Sequence, residues 1–303
     1  MIIFLKYRSQ PEIKASFCCF GLVVALYVFL PTHTLADDSK VEKIVCPKEV
    51  SKLPAVSRSD VYKNTPYKQG ELAEYKVSHS VAHVGSATME VRRPYKYKGV
   101  YKSPIWHRSF HLEGKTGDWY RYIFVAHDSV DSLVRSWDYG VSKFYLSQDE
   151  SHMFGKHLIQ QKWLEFDHAK CKVEVRVLEK GKKEKKESFD LAPGALDTLG
   201  IVYWLREQTY KVGEKKRALV YSSKKNWWLE AIPLKEEEIK VVAGTYKAMK
   251  IKLQTYIGDE LQQKGDVFVW IDIGTKERPM LMVKGNIKLG SVWIEMTKLK
   301  PGR

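Results

Sequence analysis

The chain reads as mainly β, an antiparallel curved sheet or barrel-like fold with one principal helix, about 195–208, packed on it. Three observations lead there. From about Gly70 onward, short runs alternate apolar with polar residues, the period of strands that bury one face. Turn residues punctuate these runs, as at 274–279 and at Gly290-Ser291. A single stretch carries helical spacing instead.

The elements follow in order. Residues 71–80 and 86–92 are strand-like and join through His83, Val84 and Gly85. Val173, Val175 and Val177 alternate with Glu174 and Arg176, then a charged tip at 180–186 leads into 188–191, which predicts a hairpin. After Pro193-Gly194, the residues Leu196, Leu199, Val202, Tyr203 and Leu205 fall on one helical face. Asp197 suits the positive end of that helix and Arg206 the negative end. One amphipathic helix in a β chain needs a partner for its apolar stripe, so it plugs a barrel mouth or lies on a sheet face. Further on, Met249, Ile251, Leu253, Thr255 and Ile257 face one way, with Lys250, Lys252 and Gln254 opposite. Val267, Val269 and Ile271 alternate with Phe268 and Trp270, so that strand is apolar on both faces.

The N-terminus bears on location. Lys6, Arg8 and Lys14 precede a 14-residue apolar core, 17–30, and then Thr34-Leu35-Ala36 precedes two aspartates. This is the layout of a secretory signal peptide, and the core falls short of the ~18 residues of a spanning helix. The apolar start at 1–5 also fits an uncleaved membrane anchor. The organisation expected is a signal peptide at 1–36, an extended lead-in at 37–66 and a single β domain at 67–303, with no transmembrane segment after residue 36. Residues 37–303 hold 48 basic and 35 acidic side chains, a net +13. Such a charge favours anionic partners, an envelope lipid or an acidic glycan, and export disfavours nucleic acid. Cys46 and Cys171 are the two cysteines beyond residue 36, and an oxidising compartment permits a disulfide between them.

Several segments together resemble one family. They are Gly70-Glu71-Leu72 to Tyr75 with Gly85-Ser86-Ala87, Asp197-Thr198-Leu199 through Tyr203-Trp204-Leu205-Arg206, and Gly244-Thr245-Tyr246-Lys247-Ala248. Val269-Trp270-Ile271, Pro279 and Gly290-Ser291-Val292 complete the set. In this order, over roughly 66–300, they resemble the DUF3108 family of exported bacterial proteins of unknown function. The resemblance implies an exported antiparallel β fold and supplies no catalytic residue.

The residues leave three function classes. A periplasmic or outer-envelope binding protein would hold a lipid or other amphipathic ligand in a half-barrel. Phe268 and Trp270, or their opposite-face neighbours Val269 and Ile271, would line its groove, and Arg92 and Arg93 would stand at the rim. A scaffolding envelope protein would have a filled core. A hydrolase of envelope polymers would use His127 and Asp128, the best acid–base cluster among scattered histidines. No GxSxG, HExxH or cysteine-rich pattern is present, so no metal or cofactor is expected.

Overall fold

The computed structural model describes Cys46 and residues 54–303, apart from 81, 119–123, 153–156, 263–264 and 288–289. The expected signal peptide and most of the lead-in lie outside the described residues. After one turn of 3-10 helix, Arg58–Asp60, the first half contains β1 (Leu72–His79), β2 (Ala82–Val91), β3 (Tyr95–Tyr97), β4 (Ile105–Thr116) and β5 (Phe124–Arg135). It continues through β6 (Val141–His152), β7 (Leu158–Asp167), β8 (Lys172–Glu179) and β9 (Lys185–Asp190). Helix α1 (Gly200–Glu207) separates these from β10 (Lys216–Ser222), β11 (Lys225–Val241), β12 (Gly244–Ile257), β13 (Glu260–Leu261), β14 (Val267–Asp272), β15 (Met280–Ile287) and β16 (Gly290–Lys300). Among the described residues no helix is long and apolar enough to cross a membrane.

Hairpins join neighbours into one 16-stranded antiparallel sheet, ordered β10-β11-β12-β14-β15-β16-β1-β2-β4-β5-β6-β7-β8-β9, with β13 on β12 and β3 on β4. The long-range step is β1 against β16, which zips Leu72 to Lys300 and His79 to Val292. The sheet is not closed. Its edges β9 and β10 are instead bridged by the segment between them. Leu196 donates its N–H to Leu219 O (2.9 Å) and accepts from Tyr221 N–H (2.8 Å). Asn226 adds a donor to Asp190 O (3.0 Å) and an acceptor for Ala192 N–H (2.8 Å).

This seam corrects the helix boundaries. The helical stripe spans 195–208, but the helix starts at Gly200, because Leu196 is drawn into the strand bridge. The Asp197 carboxylate then accepts the N–H groups of Leu199 and Gly200, 2.7 Å each, and the Ser132 hydroxyl. A buried carboxylate satisfying the first free N–H groups outcompetes another helical turn here. Gly200 packs closely at this point, since a Cβ there would lie 3.2 Å from Val134 Cγ1 and the valine side chain would have to shift slightly.

The helix fills the concave side. Ile201, Val202, Tyr203 and Leu205 are buried against it, and Tyr203 stacks on Phe110 with ring centres 3.7 Å apart. The last two helical residues make ion pairs to different parts of the wall. Arg206 binds Glu71 bidentately (2.7 and 3.0 Å) and donates to Glu277 O and Arg278 O. Glu207 accepts from Arg108 (3.0 Å) and the Tyr67 hydroxyl (2.9 Å), with Tyr139 in contact with Tyr67.

The described part of the lead-in is not extended. Val61, Tyr62 and Thr65 are buried, and Arg108 donates to Val61 O (3.2 Å), so residues 54–69 cap the end where the ion pairs sit. Cys46 and Cys171 are joined, with Cα atoms 5.9 Å apart, and this ties the chain ahead of the cap to the β7–β8 turn. At that turn His168 is a neutral pin. Its Nε2–H donates to Val141 O (2.6 Å), its Nδ1 accepts from Gly194 N–H (3.1 Å), and burial lowers its pKa to about 4.

Two predictions follow from this framework. Glu71→Gln leaves the Arg206 guanidinium buried without its counter-charge, and urea denaturation should register a loss of about 3–5 kcal/mol. The double variant Cys46→Ser, Cys171→Ser should lose about 2–4 kcal/mol in the same assay, because the 125-residue separation is no longer restrained in the unfolded chain.

Candidate functional site

Strand alternation assigns each candidate residue to a face. On β14, Val267, Val269 and Ile271 point into the filled core, at most 1 % exposed, so Phe268 and Trp270 point outward. This corrects the expected groove: Phe268 and Trp270 lie on the outward side of β14, Phe268 half-buried and Trp270 itself covered at 5 % exposure, while Val269 and Ile271 are buried in the core. The register then builds a mixed aromatic and cationic face. Phe268 stands between Lys252 on β12 and Lys284 on β15, and Lys284 stands beside Trp293 on β16. In the next row Trp270 stands between Lys250 and Met282. Lys250 Nζ lies over Phe268 (4.7 Å) and Trp270 (5.2 Å), and Lys284 Nζ lies over Trp293 (4.3 Å). Trp270 also donates from Nε1 to Glu237 Oε1 (2.8 Å), while Lys235 pairs with Glu237 and Lys252 with Asp266. The lysines and Trp270 hold Glu237 below its ordinary pKa against the opposing effect of its desolvation.

Arg92 and Arg93 do not rim this face. Arg92 follows β2, four strand steps from β14, or ~19 Å at ~4.8 Å per step. Its guanidinium is held by Asp131 (2.6 Å) and Glu90 (3.3 Å), and His111 shares the same Asp131 oxygen (2.8 Å). Arg93 is exposed.

His127 and Asp128 are adjacent in sequence and separated in space. On β5 they point to opposite faces of the sheet, so they cannot act together on one substrate. His127 is exposed and bonds Glu113 (2.6 Å), and His157 likewise bonds Asp149 (2.6 Å). His107 is buried, bonds Ser142 Oγ (2.8 Å) and Ile105 O (3.0 Å), and is held neutral by burial. Among the described residues no group of three or more His, Cys, Asp or Glu side chains could hold a metal ion.

Asp128 has a different partner, which sequence reasoning missed. It meets Glu150 of β6 inside the wall, both carboxylates 1 % exposed. Gln148 Nε2 donates to Glu150 Oε1 (3.2 Å) and Asp149 N–H to Asp128 Oδ1 (3.3 Å). Burial, then the charge of Asp128, lifts Glu150 from 4.5 to about 8, and burial lifts Asp128 from 3.8 to about 6. The pair therefore keeps a proton at neutral pH. The available signal was the placement of Asp128 and Ser132 at the inward positions of an otherwise apolar register, Ala126, Val130 and Val134.

Comparison with known proteins agrees with this architecture. The model of the family described as a protein of unknown function, DUF3108, matches residues 74–297. The chain belongs to the DUF3108 family. No curated protein matches it. Among solved structures, a β-barrel-like protein of a domain of unknown function, DUF1849, from Brucella abortus is similar at 7 % identity and a TM-score of 0.51, over 78 % of this chain and 99 % of that one. A protein described as a candidate lipoprotein from Parabacteroides distasonis matches at 10 % identity and a TM-score of 0.32, over 78 % of this chain and 97 % of that one. A candidate exported protein with a YmcC-like fold from Bacteroides fragilis matches at 9 % identity and a TM-score of 0.27, over 78 % and 98 %. For this DUF3108 member, the first of the three supports a β-barrel-like fold.

The acid pair carries a pH prediction. In the unfolded chain both carboxylates ionise near their ordinary values, while the folded chain keeps its protons up to about 6 and about 8. The native state thus binds more protons across that window, and stability falls as pH rises through it. Glu150→Gln keeps the shape without the titration. Thermal melts should show it more stable than the unsubstituted protein at pH 9, with the gap closing towards pH 4.

Proposed function

We propose that this DUF3108 protein is exported to the cell envelope and binds the anionic surface of a lipid bilayer through the convex face of β12, β14, β15 and β16, without enzymatic chemistry. One observation carries the reading: the half-buried Phe268, Met282 and Trp293 share the outside of the sheet, backed by the covered Trp270, with the ammonium groups of Lys250 and Lys284 over the rings of Phe268, Trp270 and Trp293. Aromatic rings that prefer the interfacial zone, together with lysines whose stems lie along them, are the chemistry of a bilayer surface rich in anionic headgroups. Lys235, Lys250, Lys252 and Lys284 outnumber Glu237, Asp266 and Glu295 on this face by one, so its charge balance leans towards that partner. Export is supported by the signal-peptide layout of residues 1–36 and by the Cys46–Cys171 disulfide, which suits an oxidising compartment.

A scaffold without a lipid partner is favoured by one other observation. Among the described residues, α1 and the stacked rings of Phe110 and Tyr203 pack on the concave face, which weighs against an interior lipid site of a half-barrel carrier. Vesicle sedimentation separates the two. The exported protein should sediment with phosphatidylglycerol vesicles and not with phosphatidylcholine. Each lysine near an anionic surface contributes about 1 kcal/mol, so Lys250→Glu with Lys284→Glu should weaken partitioning at least about tenfold while circular dichroism stays unchanged. Equal binding to both lipids, or binding untouched by the two reversals, would leave the scaffold reading.

A further inference from the structure

A second basic feature lies elsewhere, where the cap segment meets the C-terminal end of the chain. Arg58, Lys63, Lys68 and Arg303 line one open recess of about 760 Å³, with Gln69 and Pro94. Residues 58–68 and 303 converge because β1 pairs with β16, and Arg303 N–H donates to Gln69 O (3.0 Å). Lys68 is built into the wall: its ammonium donates to Tyr62 O (2.5 Å) and Lys63 O (2.9 Å), which leaves one of its three N–H groups for a ligand. Arg58 is braced over the Trp106 ring at 5.7 Å, beside Lys96 at 5.8 Å. The nearby acid, Asp60, is engaged by Ser57 (2.5 Å) and Lys63 (3.7 Å).

From this arrangement we infer that the recess is a binding site for a phosphate monoester carried on a sugar. Two guanidinium forks and two ammonium groups suit a dianion with several acceptor oxygens. The volume falls in the range of small-molecule sites, ~300–1,000 Å³, so the anion has a body as well as a charge. Serine and glutamine line the recess beside the rings of Tyr62 and Pro94, which suits a sugar body, with its hydroxylated edges and apolar ring face. The site is independent of the bilayer-binding face, since it uses none of its residues.

Titration calorimetry of the exported protein with glucose 1-phosphate tests it, with glucose and galacturonate as comparison ligands. Binding is expected for glucose 1-phosphate and absent for glucose. Arg58→Gln and Arg303→Gln, both surface changes, should each weaken it about tenfold at unchanged melting temperature, and raised salt should weaken it further. Phosphatidylcholine vesicles carrying a phosphorylated glycolipid identify the source: capture there without binding of glucose 1-phosphate assigns a glycolipid headgroup, and binding of both assigns the sugar phosphate itself. No binding in either arm, full affinity in both variants, or galacturonate bound as tightly as glucose 1-phosphate would overturn the inference. Loss of binding to phosphatidylglycerol vesicles in Lys250→Glu, Lys284→Glu reports on the other face alone.

Discussion

The ion pair between Arg206 and Glu71 is the contact on which the arrangement of this fold depends. An arginine buried at 3 % side-chain exposure is tolerable only with its donors met, and here the Glu71 carboxylate and the carbonyls of Glu277 and Arg278 meet them. Those partners come from the entry to β1 and the turn before β15. One side chain on an eight-residue helix therefore joins the beginning and the end of the chain's sheet. Glu207, the next residue, reaches Arg108 on β4 and extends the same junction to the other half of the wall. A short helix of this length has little stability alone, and these contacts together with the stacked Phe110–Tyr203 rings hold it in place.

Filling the concave side has a consequence for function. Among the described residues, α1 and the apolar faces of the strands pack together inside the sheet, and mixed aromatic and cationic chemistry lies outside. Phe268 and Trp293 remain partly exposed on a face whose lysines stack over rings, and the cap segment contributes a separate recess with four basic side chains. Each feature arises from register. Pairing of β14 with β15 and of β15 with β16 aligns Phe268, Lys284 and Trp293 in one row, and a slip by one residue would turn all three into the core.

Parts of this were legible beforehand. The strands of the C-terminal third, the 180–186 hairpin tip and the existence of one helix follow from periodicity, because each of those elements buries a continuous apolar face. The strands between 105 and 167 escaped, since polar residues occupy inward positions there: Asp128 and Ser132 on β5, Gln148 and Glu150 on β6. Ser132 is met by Asp197, just ahead of α1, and Asp128 faces Glu150 across the β5–β6 pair, partners that local sequence does not contain. The pairing of His127 with Asp128 failed for a plain geometric reason, the alternation of faces along a strand.

The amino-acid sequence by itself determined the class of fold, the family, the single helix with its apolar stripe, and the excess of positive charge, because each of these is a property of composition or of local period. Tertiary structure decided which face of β14 is the outside, where the helix begins, which acid accompanies Asp128, and that residue 303 stands beside residues 58–68. Those outcomes depend on strand register and on the pairing of β1 with β16, contacts between residues more than two hundred positions apart, and no local pattern encodes them.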